Sequence, residues 1–212
     1  MTEQHSELLS NVASYYALKL SKHGVTPAGV DWNGETGQEL RFKQLSKILL
    51  HSLQPYSLND LGCGYGALLD FLATWNFPVI EYEGLDISSA MVNAACVRHV
   101  DKIFANFHVS NVPTAIRDFC LASGIFNVRL NVSNEKWLEY IKSTLDILDT
   151  YSSKGFAFNC LTSYSDILHM RSDLYYADPL ILFDLCKKRY SNNVALLHDY
   201  DLYEFTILVR KS

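Results

Sequence analysis

Residues 61 to 71 read LGCGYGALLDF, three glycines within five positions where an apolar run of strand character meets one of helical spacing. Gly62, Gly64 and Gly66 admit positive φ and carry no Cβ, and the helix that follows opens with unpaired N–H groups. Strand, glycine turn and helix N-terminus in that order form the ligand-binding corner of an open α/β sheet. The turn thus constrains both the fold class and the place where a ligand meets it.

The flanking chain supplies the rest of such a sheet. YSLNDLG reads as a strand, 66 to 75 as a helix, PVIEYEGLD as a strand and 88 to 99 as a helix capped by Ser88 or Ser89, so two βα units fall within about fifty residues. KIFANFHV and DFCLASGIF read as third and fourth strands and GFAFNCL as a fifth. Between the last two, Trp137, Ile141, Leu145 and Leu148 mark a long helix opened by Ser133. Ahead of the sheet, Leu8, Leu9, Val12, Ala13, Tyr16 and Leu20 share one face of a helix over 6 to 22, ended by Gly24 and Pro27. Thr36 and Glu39 have capping-box spacing for a second helix running to about His51. After the fifth strand comes the aromatic and polar segment TSYSDILHMRSDLYYA. Asp178 and Pro179 then read as N-cap and first turn of the helix LILFDLCKKRY. The closing NVALLHDYDLYEFTILVRK holds two β-rich runs joined too briefly for a parallel crossover, which requires an antiparallel hairpin.

These elements predict one domain: an N-terminal helical cap (1–52) and a core (57–212) with an insertion at about 161–178. The core is a doubly wound α/β sheet of seven strands, mostly parallel, with an antiparallel C-terminal hairpin. A length of 212 residues, 49% hydrophobic and 19% charged, suits one core. The net charge of −5 and the pI near 5.8 oppose a large nucleic-acid footprint. Five cysteines without CxxC pairing or His spacing predict a reduced, cytoplasmic protein without a metal site. No apolar run approaches the ~18 residues of a membrane helix.

Asp86 ends the second strand twenty residues after Gly66, where doubly wound sheets place the acid that accepts hydrogen bonds from ribose hydroxyls. Gly62, Gly64 and Ala67 also satisfy GxGxxA, so the motif alone leaves NAD, FAD and S-adenosylmethionine open. Three features favour the last. Asp60, two residues before the first glycine, suits a ligand ammonium and repels a pyrophosphate; the chain ends in an antiparallel hairpin; and it has no second βαβ half with its own nucleotide site.

With these pieces in order, the chain resembles the class I S-adenosylmethionine-dependent methyltransferases, whose fold is Rossmann-like. LNDLGCGYG is similar to their first motif, YEGLDIS to the ribose motif, DFCLASGIF to the fourth-strand motif and LLHDYDLYEFTILVR to their last two strands. The resemblance spans roughly residues 57 to 159 and 194 to 210. It implies S-adenosylmethionine as cofactor, with Asp60, Gly62, Cys63 and Gly64 around its methionine part, Gly66 in the same cofactor-binding turn and Asp86 on the ribose. Ile87 and Met91 would lie against adenine or ribose, and Asn111 would stand in for the acid that the family often sets beside the adenine amino group. Ala122 and Ser123 would sit where cofactor and acceptor meet.

The fourth strand has no Asn-Pro-Pro-Tyr type of motif and the chain no Pro-Cys nucleophile, which leaves a small molecule as the expected methyl acceptor for O- or N-methylation. Tyr15, Tyr16, Tyr164, Tyr175 and Tyr176 are candidates for its walls. In the insertion, Asp166, His169 and Arg171 are near enough in sequence to present a base and a cation, or else to form a solvated loop. Arg171 suits a carboxylate or phosphate, and equally a pairing with Asp173 or Asp178. His198 either reaches the substrate or bonds within the hairpin, and Trp32 either staples a helix entry or closes over a ligand. Competing readings are an NAD-linked oxidoreductase and a non-catalytic S-adenosylmethionine-binding protein. The fold often forms homodimers.

Overall fold

A computed structural model describes residues 3–51 and 54–211. The predicted end of the cap at residue 52 lies outside the described residues. Helix α1 covers Glu3–His23 and leads through a 3-10 turn at Pro27–Val30 into α2, Glu35–Ser46. The sheet strands are β1 Tyr56–Leu61, β2 Val79–Asp86, β3 Ala105–Val109, β4 Arg117–Ala122, β5 Ser152–Leu161, β6 Asn193–Leu197 and β7 Glu204–Arg210. Between them run α3 Ala67–Thr74, α4 Ser89–Arg98, α5 Asn134–Thr150 and α6 Pro179–Arg189. The strands lie in the order β3-β2-β1-β4-β5-β7-β6, and β7 alone runs against its neighbours. The predicted doubly wound sheet and terminal hairpin are both present.

Alternation along the strands sorts side chains onto two faces. Phe205, Ile207 and Val209 of β7 and Phe156, Phe158 and Cys160 of β5 point to one core, while Leu208 and Ala157 point to the other. The first core is closed by α1, α5 and α6 through Leu8 and Val12, the Trp137–Ile141–Leu145–Leu148 stripe, and Leu182 with Cys186. Phe42 and Leu45 of α2 and Leu68, Leu69, Phe71 and Leu72 of α3 close the second. At about 25 cal/mol per Å² of apolar area, this two-sided burial is the main favourable term holding cap and sheet together.

Several boundaries follow their expected caps. Ser133 accepts from the Lys136 N–H, and Asp178 accepts from Leu180 and Ile181 with Pro179 in the first turn. Others differ. The Thr36–Glu39 box does not form: α2 starts at Glu35 with Gly34 as N-cap and no side-chain cap, and it stops at Ser46 before a 3-10 turn at Leu49–His51. Ser88 stands at the N-cap of α4 without a side-chain bond, and its own N–H donates to the Asp86 carboxylate. Strand β5 begins at Ser152, three residues before the predicted run. No helix among the described residues is long and apolar enough to cross a membrane.

Candidate functional site

Strand order reverses between β1 and β4, so the chain leaves their carboxyl ends in opposite directions and a crevice opens there. The helical cap roofs it. The resulting cleft spans about 970 Å³ of empty space, open solvent at its mouth included. Its floor is the glycine turn after β1, its sides are the loops after β2, β3 and β4, and its roof includes Val12, Tyr16, Val30 and Trp32.

The turn is fixed to β2 by the Gly62 and Cys63 N–H groups, which both donate to the Leu85 carbonyl at 2.7 and 2.9 Å. All three glycines have positive φ. What a Cβ would meet, however, is protein: Ile125 Cγ2 at 2.0 Å from a Cβ at Gly62, and the His99 ring at 2.7 Å from one at Gly66. The bare backbone therefore serves first to let the neighbouring loop and helix close on the turn. Gly66 faces His99, whose Nε2 lies 2.9 Å from the Gly66 carbonyl, and is not part of the cleft lining.

Asp86 accepts the Gly64 N–H at 3.0 Å through Oδ2 and the Ser88 N–H at 2.8 Å through Oδ1. The Ile87 N–H also bears on this carboxylate, and of its about four acceptor positions at least one stays open to a ligand in the cleft. Asp60, 1% exposed, accepts the Tyr82 hydroxyl at 2.5 Å. Burial pushes its carboxyl up to about 7, opposed by the Tyr82 bond and assisted by the nearby Asp86 charge. Burial likewise raises Asp86 to about 6 against its backbone hydrogen bonds. Two carboxylates held this far above their usual range in one crevice are poised to ionise fully when a cation arrives.

Of the remaining residues expected around a cofactor, Ile87, Met91, Asn111, Cys63 and Ser123 line the cleft. Ser123 Oγ is buried without a hydrogen-bond partner among the described residues. Ala122 does not line it: its side chain is fully buried in the first core, and its backbone pairs with Phe158.

The expected acceptor residues divide sharply. Tyr16 and Trp32 line the cleft. Tyr164, Arg171, Tyr176, His169 and His198 do not. The Arg171 guanidinium binds Asp173 through two nitrogens, Asp31 at 3.1 Å and the Tyr15 hydroxyl at 3.1 Å, while its backbone N–H donates to the Tyr176 hydroxyl. Lys19 adds a 2.5 Å bond to Asp31. The insertion is thus a clasp that ties itself to α1 and to the turn before Trp32, because its cation meets carboxylates there before any ligand. His169 and Tyr164 are largely exposed, the rings of His169 and Tyr203 lie 5.7 Å apart, and His198 stands between Tyr164 and Phe205 on the hairpin.

A polar chain absent from the sequence reading positions Trp32. Glu204, 2% exposed, accepts Arg41 Nε and Nη2 at 2.9 and 2.6 Å and the Asn159 amide at 2.9 Å, and Asn159 in turn accepts the Gly124 N–H at 2.7 Å. The Arg41 guanidinium lies 3.8 Å from the Trp32 ring centre, and a Cβ on Gly124 would stand 2.6 Å from Trp32 Cζ2. Gln38, also unanticipated, accepts the Tyr65 hydroxyl at 3.2 Å, and both line the cleft. The signal that could have found the chain was Glu204 and Asn159 themselves, two polar residues inside apolar strand runs.

No family model matches the chain. Among solved structures it is similar to the N-methyltransferase NodS from Bradyrhizobium japonicum WM9 in complex with S-adenosyl-L-homocysteine, with a TM-score of 0.67 at 13% identity over 95% of this chain and 98% of that one. A DhpI–SAH complex gives a TM-score of 0.66 at 13% identity over 95% of both chains. These likenesses concern the fold. In sequence, the Mycobacterium tuberculosis (strain ATCC 25618 / H37Rv) protein named "Putative methyltransferase Rv1506c" is 55% identical over 164 residues, 77% of this chain and 98% of that protein. With its seven-stranded sheet in the order 3-2-1-4-5-7-6 and a relative this close over most of its length, the chain belongs to the methyltransferases.

Proposed function

We propose that the chain binds S-adenosylmethionine in the cleft below α1 and transfers its methyl group to oxygen or nitrogen of a small molecule. The observation that carries this reading is the charge of the crevice: its lining carboxylates, Asp60 and Asp86, stand beside the glycine turn and at the end of β2. That arrangement favours a cation and opposes a pyrophosphate. The residues present fit the donor. Asp86 keeps acceptor capacity for a ribose hydroxyl, Asp60 suits an ammonium, Ile87 and Met91 offer apolar contact to adenine, and Asn111 lines the same cleft.

Bound there, S-adenosylmethionine supplies a methyl group on a cationic sulfur. The chain's own task is alignment and exclusion of water, which the Trp32–Arg41–Glu204 arrangement and the clasped cap perform by fixing the roof over the crevice. Cap and sheet work in this reading as one domain, with the insertion bracing the roof.

Calorimetric titration of the purified protein with S-adenosylmethionine, S-adenosylhomocysteine and NAD in parallel tests the reading. Micromolar binding of the first two with none of NAD is the expected result. Binding of NAD alone overturns it in favour of an oxidoreductase.

A further inference from the structure

The end of the cleft away from Asp86 has an uneven chemistry. Among the described residues, no Lys, Arg or His lines the cleft, although the chain contains 18 Lys and Arg and 7 His. Every cation that approaches the lining is turned onto a carboxylate. Arg41 binds Glu204 behind Trp32, Arg98 binds Asp70 beside the Tyr65 ring, and Lys19 and Arg171 bind Asp31 next to the roof. Beyond the Gln38–Tyr65 hydrogen bond lies a second, open surface hollow, which shares Gln38, Phe42, Tyr65 and Ala67 with the cleft. It is lined by Glu35, Glu39 and Asp70 against the single Arg98 that Asp70 already holds, and neither glutamate makes an ion pair among the described residues. Gln38, 8% exposed, lines both spaces; its Oε1 takes one hydrogen bond and keeps a second lone pair, and its amide nitrogen has no partner among the described residues. Ser123 Oγ is a further buried polar atom of the cleft wall, without a hydrogen-bond partner among the described residues.

Resting on the methyl-transfer reading above, we infer that the acceptor is an amine, which approaches through the acidic hollow and reacts as its free base between Trp32, Gln38 and Ser123. A carboxylate or phosphate acceptor would bring an anion beside Asp60 and Asp86 with no Lys, Arg or His of the lining to meet it, leaving the donor's sulfonium as its one counter-charge. A hydroxyl acceptor needs a base near its proton; the lining offers no imidazole, Tyr16 and Tyr140 are shifted by burial further from the neutral range, and the two lining carboxylates, Asp60 and Asp86, are those the reading above gives to the donor. A free amine needs neither. Its lone pair forms the N–C bond to the methyl carbon of the donor, the C–S bond breaks, and that electron pair stays on sulfur, which becomes a neutral thioether. The positive charge moves from sulfur to the new ammonium within the same acidic crevice, and the ammonium later releases its proton to water. During approach, Gln38 Oε1 and Ser123 Oγ accept the N–H groups and leave the lone pair facing the methyl.

The test uses the full chain saturated with S-adenosylhomocysteine and a panel of aryl and alkyl amines, benzylamine among them, each matched to its alcohol and carboxylate of the same body. The expected result is at least tenfold tighter calorimetric binding of an amine than of either counterpart, and N-methyl product by mass spectrometry with S-adenosylmethionine. The acid limb of the rate profile, along which the amine becomes protonated and loses its lone pair, should move with the amine's own pKa from one acceptor to another. Gln38→Lys, which adds a cation, should remove the amine preference, and Gln38→Met, which only loses the Oε1 acceptor, should weaken it to a smaller degree, with S-adenosylhomocysteine affinity measured alongside in each variant. Tighter binding of an alcohol or carboxylate, no amine bound by a protein that does bind S-adenosylhomocysteine, or an unchanged preference in Gln38→Lys overturns the inference. Failure of S-adenosylhomocysteine itself to bind overturns the methyl-transfer reading instead.

Discussion

Replacing Asp60 by Asn separates two pH effects of opposite sign. In the unfolded chain an aspartate loses its proton near 3.8, whereas folded Asp60 keeps it to about 7. Between those values the folded state binds more protons, so this group's contribution to stability is full below the lower value and is lost as pH rises through the upper one. From about pH 5 to about pH 8, some two units of that window are crossed, worth about 3 kcal/mol at 1.36 kcal/mol per unit. For a chain of this length that is a fall of about 6–12 °C in Tm. Partnered carboxylates such as Asp31, Asp118 and Asp146, all held below their usual range, add opposite slopes at lower pH. The informative quantity is therefore the difference between the parent and Asp60→Asn, measured by urea unfolding across the range, in which those slopes cancel. The parent should lose about 3 kcal/mol relative to the variant. Affinity for S-adenosylmethionine should run the other way, rising about tenfold per unit between about 6 and about 7 in the parent, a limb absent from the variant, in which Asp86 alone titrates, below about 6. Parallel unfolding curves for the two proteins at every pH would refute the burial argument for Asp60.

Three further outcomes follow from the geometry. Asp86→Ala should weaken S-adenosylhomocysteine binding about 10- to 100-fold, the loss of one or two hydrogen bonds to a charged group, with the circular-dichroism spectrum of the parent; unchanged affinity removes the ribose assignment. Gly124→Ala places a Cβ against Trp32 at φ 75 and should cost about 1–3 kcal/mol in urea unfolding with a shift in tryptophan emission, and an unchanged spectrum would mean that Trp32 does not rest there. Arg171→Ala, half exposed at the clasp, should cost no more than about 1 kcal/mol and leave S-adenosylhomocysteine affinity unchanged, whereas a large loss of affinity would return Arg171 to the ligand site.

The parts that were legible in the sequence are those set by local chemistry. Helix α5 could be read because Trp137, Ile141, Leu145 and Leu148 repeat at helical spacing on the face that meets β5. Asp86 could be placed because a strand end following a glycine turn has one position relative to that turn, and its bonds to Gly64 and Ser88 are the local expression of it. Thr36 and Glu39 had the right spacing for a cap and are not one, because the chain enters α2 through Gly34 at φ 128, a turn that places Thr36 inside the helix. Arg171 and His169 sit in a segment without periodicity. No local signal distinguishes a cation that faces a ligand from one that meets Asp31 of the cap, 140 residues away.

The polar chain behind Trp32 shows how far such tertiary facts can be anticipated. Arg41 and Glu204 are 163 residues apart, so no motif joins them. Yet β7 alternates, and with Phe205, Ile207 and Val209 committed to one core, Glu204 must face the other side with Thr206 and Leu208. A carboxylate buried there without a partner would cost several kcal/mol, so the element covering that side must supply a cation. That element is α2, which touches both β5 and β7, and within it Arg41 and Lys43 are the only basic residues. Arg41 adjoins the inward-facing Phe42 and lies one helical turn after Gln38, so it reaches the strand end where Glu204 sits. A buried charge in a strand is thus a demand whose supplier can be found by elimination, and here the supplier also holds the ring that roofs the cleft.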